Sequence, residues 1–473
     1  MSRFITATGW YLISLDKDEV LSTKVNSLTQ IDKTSTINFA YLVSENKQSL
    51  PAPSYGDFTN GNWESVSSSY TATSSLGIWV YATVSSENEW TQTGQDIDGE
   101  DIGDYSGWSV SLNSAGNIVA IGADYNDGNG YKSGHTRIYK YNETSWVQLG
   151  EDIDGEAIDD QSGYSVSLNS AGDIVAIGAP YNDGTNNDPD DNRGHTRIYQ
   201  YNGTSWTQLG QDIDGEAGSD QSGESVSLNS AGDIVAIGAT RNDGNRGHTR
   251  IYQYIAGLWT QIGQDIDGEA GSDESGESVS LNSAGNIVAI GAIKNDGNRG
   301  HTRIYEYDYK VNTWTQLGQD IDGEATNDFS GISVSLNSAG DIVAIGAEGN
   351  DGDRGHTRIY EYNGTSWVQI GQDIDGEAAE DYSGRSVSLN SAGNIVAIGA
   401  RFNDSIRGHT RIYQYDFKVN TWTQLGQDID GEAAGDFSGY SVSLNSAGNI
   451  VAIGAIFNNG NGSDAGHTRI FSI

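Results

Sequence analysis

The stretch SGWSVSLNSAGNIVAIGA, running from Ser106 to Ala123, decides the fold. Ser109-Val110-Ser111-Leu112 alternates polar and apolar residues, the period of a strand with one covered face. Asn113-Ser114-Ala115-Gly116-Asn117 supplies a turn, with a glycine able to take positive φ. Ile118-Val119-Ala120-Ile121 is a continuous apolar run, the pattern of a strand covered on both faces. Almost the same letters return at Ser162, Ser222, Ser275, Ser330, Ser383 and Ser438, so one hairpin is written seven times.

Working outward, each copy carries two more strand-like segments. Thr136-Arg137-Ile138-Tyr139 is the third, and Trp146-Val147-Gln148-Leu149 the fourth. The tryptophan recurs at Trp90, Trp146, Trp206, Trp259, Trp314, Trp367 and Trp422, spaced by 53 to 60 residues. Helical periodicity is missing, and four short strands per repeat fit a β-propeller blade. The ends of the array point to its closure. The first unit opens at Trp90 with a fourth strand and no third strand before it. The last unit ends at Gly466-His467-Thr468-Arg469-Ile470-Phe471, a third strand with no fourth after it. Pairing the two removes open edges, which are an aggregation hazard. The expected architecture is all-β: a seven-bladed propeller of four-stranded blades over residues 90–473, closed by its own termini.

Composition narrows the function classes. The 473 residues hold 65 acids against 25 Lys plus Arg, a net charge of −40, and no cysteine. That balance disfavours nucleic acid, which needs a basic surface. Disulfides, thiolate metal sites and a cysteine nucleophile are excluded. No apolar run approaches the roughly 20 residues that span a bilayer, so membrane insertion is not expected. The opening Met1-Ser2-Arg3-Phe4 stretch has one basic residue, and Thr6, Thr8, Gly9 and Ser14 break its apolar letters, which makes a poor secretory signal.

The motif Asp104-Tyr105-Ser106-Gly107, then Val110 and Ile121-Gly122-Ala123, resembles the FG-GAP repeat of integrin-type propellers, across all seven units. The resemblance implies a propeller fold and a place among adhesion and surface proteins. It does not bring the family's calcium loop, because the corresponding turn here is only Asn-Ser-Ala-Gly.

Residues 1–89 do not repeat and read as a small β-rich domain that anchors or oligomerises the ring, or else packs on it as an extension. Strands are expected near Trp10–Leu15, Thr36–Val43 and Gly77–Val84, loops at residues 51–53 and 60–62, and a core around Trp10, Trp63 and Trp79.

Every histidine sits at one repeat position (His135, His195, His248, His301, His356, His409, His467), two residues before an arginine. Alternation puts both side chains on one strand face. A buried guanidinium needs an acceptor, and the repeated aspartates Asp104, Asp160, Asp220, Asp273, Asp328, Asp381 and Asp436 are the expected partners, bracing each blade internally. Metal ligation or catalysis is the alternative use of the histidines. Seven equivalent copies argue against a His-dependent enzyme, which needs one asymmetric constellation.

The acidic segment Asp96, Asp98 and Glu100 recurs as Asp152, Asp154 and Glu156; Asp212, Asp214 and Glu216; Asp265, Asp267 and Glu269; Asp320, Asp322 and Glu324; Asp373, Asp375 and Glu377; and Asp428, Asp430 and Glu432. Oxygens at alternate positions suggest a Ca2+ loop. Against it, the glycine falls at position 4 and no glutamate stands at position 12. The competing expectation is a strand-ending turn whose carboxylates accept backbone N–H groups or pair with the arginine.

Loops from strand two to three and from strand four to one share a propeller face. The former are longest in the first, second and last copies, which ring closure makes neighbours. Trp108, Tyr125, Tyr131, Tyr164, Tyr181, Tyr440 and Phe457 add aromatic rings there, a candidate surface for a protein or glycan receptor. Five Asn-x-Ser/Thr sequons (Asn142, Asn202, Asn363, Asn403, Asn461) matter only in a glycosylating compartment. The expected function is non-enzymatic recognition, adhesion or structure at a surface: a virion fibre, spike or decoration, or an extracellular adhesin. A propeller lectin is the alternative, and a glycan-active enzyme comes third.

Overall fold

The computed structural model describes residues 89–184 and 191–473, together with the backbones of four strands nearer the N-terminus. The chain divides into two compact units, residues 1–89 (with Ile473) and Trp90–Ser472. In the first, strands Gly9–Leu15, Thr34–Val43, Trp63–Ser65 and Leu76–Ser85 form an antiparallel sheet in the order first, fourth, second, third. The side chains of Trp10, Trp63 and Trp79, and the loops expected at 51–53 and 60–62, lie outside the described residues.

The second unit is the expected ring of seven antiparallel blades. In blade 1 the strands are Ser109–Leu112, Ile118–Ala123, His135–Tyr141 and Trp146–Gln148, in that order from the axis outward. Blade 7 borrows its outer strand from the start of the ring: Thr91–Gln92 and Ile97–Asp98 pair with His467–Ser472, placing Gln92 opposite Phe471 and Asp98 opposite His467.

The outer strand is more elaborate than the sequence suggests. Gln148 lies opposite Tyr139 and Ile153 opposite Thr136, so five steps on one strand answer three on the other. The two extra residues form a bulge at Leu149–Asp152. The acidic Ile153-Asp154 segment beyond it is therefore ladder, where the sequence suggests a loop or strand-ending turn.

The core lies between blades. Ile118, Ala120, Ile138 and Ile153 of blade 1 pack against Val166, Leu168, Val175 and Ile177 of blade 2. Closing the ring, Ile97, Ala452 and Ile470 of blade 7 meet Val110, Leu112, Val119, Ile121 and Trp146 of blade 1. This explains the unbroken Ile-Val-Ala-Ile run, since the second strand is covered on both faces. Gly122 permits the close approach: a Cβ there would stand 1.9 Å from the carbonyl oxygen of Gly163 in the next blade.

Each first strand exposes an edge toward the axis, and its serines satisfy that edge. Ser111 Oγ accepts the Leu168 N–H of the next blade at 2.9 Å, while Ser109 Oγ donates to Gly163 O at 2.7 Å. Ser114 N donates to Ser170 O, Ser170 N to Ser230 O, and so on through Ser283, Ser338, Ser391 and Ser446, whose N–H donates back to Ser114 O. The seven backbone bonds, each 3.1–3.2 Å, make a closed circuit around the axis. The seven Leu-Asn-Ser triplets beside it line an axial cavity of about 190 Å³.

At the rim a second contact recurs. Trp146 Nε1 donates to Thr93 O of blade 7 at 2.8 Å, and the Gln95 amide both accepts from Trp146 N and donates to Trp146 O. The bulge makes room for this type of indole: a Cβ on Gly150, which has φ +84°, would lie 2.8 Å from Trp206 Cδ1. Six of the seven tryptophans are 2–4% exposed. Trp206 is the exception, being only half-buried, and its clamp position holds Glu151, which has no donor to offer the Trp206 carbonyl. Glu151→Gln is expected to supply the missing bond and stabilise the ring by about 1 kcal/mol. A melting temperature unchanged or lowered relative to the parent chain refutes this.

Candidate functional site

The repeated charges form a belt between blades. Arg137 Nη2 donates to Asp98 O at 2.7 Å and Nη1 stands 3.4 Å from Glu100 Oε1; both partners belong to the preceding blade. The bond to the backbone carbonyl recurs at every junction, through Arg197, Arg250, Arg303, Arg358, Arg411 and Arg469. The expected intrablade brace to Asp104 is thus corrected. Asp104 Oδ2 accepts Glu100 N, Asp101 N and Asn126 Nδ2, tying together the two loops of one face. The arginine turns to the neighbouring blade, where the bulged outer strand presents a carbonyl and the glutamate.

The histidines are 1–2% exposed. Burial first, and then the adjacent arginine, hold their imidazoles below the ordinary range, to about 4 at His467. Their carboxylate neighbours show that each acidic segment is divided between two junctions. Asp96 and Asp98 lie with His467, whereas Glu100 lies with His135 and Asp152 of the next blade. The three acids expected to surround one Ca2+ are therefore distributed over two clusters.

The asymmetric part of the ring is elsewhere. The residue after each Ser-Gly, at the head of a first strand, is Trp108, Tyr164, Glu224, Glu277, Ile332, Arg385 or Tyr440. These seven converge around the axis. Trp108 contacts Tyr164 and Tyr440 with ring centroids 5.3 and 4.9 Å apart. Arg385 Nη2 donates to Tyr440 Oη at 3.4 Å and its guanidinium lies 5.2 Å from that ring. Glu348 stands 3.8 Å from Arg385 and 3.2 Å from Arg401. Burial, then the charge of Glu224, push the Glu277 carboxyl up to about 8, with Arg385 opposing. Arg385 is pushed up: burial works against its charge, but Tyr440, Glu348 and Glu277 outweigh it. All but Ile332 remain half-buried, and Arg385 keeps 21% of its side-chain surface open. The result is a solvent-reached cup, aromatic on one side and ionic on the other.

Around the cup runs an arc of rings through blades 1, 7 and 6. Tyr125 meets Tyr105 at 4.7 Å, Tyr105 meets Phe457, Phe457 meets Phe437 at 4.6 Å, and Phe402 links Phe437 to Tyr382. Tyr105, Tyr382 and Phe437 hold φ values of 54–58°, a conformation uncommon for aromatic residues. Asp124 is fully buried beside Tyr125, and burial drives its carboxyl well above the ordinary range, with the backbone N–H groups of Asp124 and Tyr125 and the charge of Lys132 opposing.

Of the seven aromatics expected to form a surface, Trp108, Tyr164 and Tyr440 line the cup, and Tyr125 and Phe457 belong to the arc. Tyr181 joins Tyr164 at 6.4 Å. Tyr131 stays apart from these rings, 58% exposed, with Lys132 beside it. Sequence reasoning missed Glu224, Glu277, Arg385, Glu348 and Arg401. The signal was present: they occupy the positions where otherwise near-identical copies differ.

No protein-family model matches the chain, and no curated protein does. The FG-GAP resemblance thus rests on its motif residues. Among solved structures, the Kuenenia stuttgartiensis hydrazine synthase superposes with a TM-score of 0.50 at 10% identity, over 77% of this chain and 94% of that one. At that identity the similarity establishes the propeller architecture alone.

Proposed function

We propose that the ring is a non-enzymatic recognition module that engages a receptor at the axial cup, displayed on a virion or another extracellular surface through residues 1–89. One observation supports this above the others: the copies repeat almost letter for letter, yet the residues gathered at the cup are different choices of ring, acid, base and apolar side chain. A saccharide is the second reading, favoured by Trp108 and Tyr440, which offer stacking faces beside the polar groups of Arg385 and Glu277.

A glycan array and a panel of surface proteins probed with the full chain test both readings. Trp108→Ala and Arg385→Ala are each expected to weaken the leading interaction at least tenfold. Phe417→Ser, an exposed rim substitution, leaves it unchanged. Equal binding by all three variants sinks the cup as the recognition site.

A further inference from the structure

We infer that the blade junctions bind divalent transition-metal ions of the zinc class, each held by a histidine and two carboxylates: at most junctions the glutamate of the preceding blade and the first aspartate of the outer-strand bulge, and at His467 those of Asp96 and Asp98. In blade 1 these are His135, Glu100 and Asp152. His135 Nδ1 lies 3.9 Å from Glu100 Oε2 and 3.9 Å from Asp152 Oδ2. His356 repeats this at 3.9 and 4.0 Å from Glu324 and Asp373. These separations exceed the roughly 3.2 Å reach of an N–H···O hydrogen bond. They suit two ligands sharing one ion at about 2.0–2.2 Å each, because bond angles opened to around 130° place the donor atoms almost 4 Å apart.

The other carboxylate oxygens are already committed. Glu100 gives Oε1 to Arg137, while Asp152 gives Oδ1 to Gln148 Nε2, leaving Oε2 and Oδ2 facing the imidazole. Outer partners that fix one oxygen and aim the other are typical of ligating carboxylates. A second, independent sign comes from the imidazoles themselves. They are buried, and Nδ1 of His467, the nitrogen that faces Glu432 at 3.9 Å, has no hydrogen bond. Buried polar groups left unpaired call for an explanation such as an ion. The imidazole donor distinguishes the site from a calcium site, which selects oxygen ligands.

The test uses the full chain, stripped with chelator and then equilibrated with Zn2+, Co2+ or Ca2+. Metal analysis after equilibrium dialysis is expected to approach seven zinc ions per chain, with the melting temperature raised by more than 5 °C. Co2+ should develop the visible absorption of a site with a nitrogen ligand. His301→Gln should lower the count by one. Because that residue is buried, Glu269→Gln, at a half-exposed carboxylate of the same junction, provides a second variant with the same expected loss. Fewer than one ion bound per chain at excess zinc overturns the inference. So does equal saturation by Ca2+, or a count unchanged in Glu269→Gln.

Discussion

A chain beginning at Gly99 is expected to melt at least 15 °C below one beginning at Glu89, or to lose its cooperative transition altogether. The ten residues between carry the seam of the ring. Trp90 and Ile97 are each 3% exposed, and burying such side chains contributes about 1.5–3 kcal/mol apiece. Trp90 Nε1 donates to Leu425 O at 2.8 Å, and its backbone is clamped by Gln427. Thr93 N donates to Ile470 O, while Asp98 O is the acceptor for Arg137. Removing the segment deprives the buried Arg137 guanidinium of its backbone acceptor, leaving it Glu100 alone, and bares the edge of His467–Ser472, so the loss exceeds the sum of the side chains. Calorimetry of the two chains measures it. A synthetic peptide of residues 89–100 added in trans should recover part of the difference. If the two chains melt within 3 °C of each other, the seam does not hold the ring.

Trp314→Ala is expected to cost about 3–5 kcal/mol, the range for deleting a large buried ring. The side chain is 2% exposed and packs against Tyr307 with centroids 5.0 Å apart. Its Nε1 donates to Ile262 O of the preceding blade at 3.0 Å. The substitution opens a cavity at a blade junction and leaves that carbonyl unpaired. Trp314→Phe should recover most of the packing but not the hydrogen bond, falling between the two. Val368→Ala, at a rim position 49% exposed, should change stability by less than about 0.5 kcal/mol. Urea unfolding of the three variants gives the order; an alanine variant as stable as the parent refutes this role for the indole.

The closure and the blade count are legible in the sequence because Trp90 and Ile470 leave complementary deficits at the two ends of the array. What strand alternation cannot say is which neighbour a side chain meets. It puts His135 and Arg137 on one face correctly, but it offers Asp104 within the blade as the partner, when the face looks onto Asp98 and Glu100 of the adjacent one. The two-residue bulge at Leu149–Asp152 is equally hidden, since its register depends on the next blade's indole over Gly150. The cup is half legible. Trp108, Tyr164 and Tyr440 stand out for their chemistry, while Glu224, Glu277 and Arg385 at the same repeat position do not, because charges on a surface are ordinary. Position within the repeat is the better guide than residue type.

The circuit from Ser114 through Ser446 and back has a consequence for the gene as well as the molecule. Tandem copies this alike invite unequal exchange, which adds or deletes whole units. A solenoid tolerates such changes, because each unit touches only its neighbours. Here every unit also helps to set one circumference, and seven amide-to-carbonyl links of 3.1–3.2 Å close on themselves. A six- or eight-copy product must reset the angle at every junction at once. The innermost hydrogen bonds therefore act as a counter, discarding length variants that the repeats themselves make easy to produce.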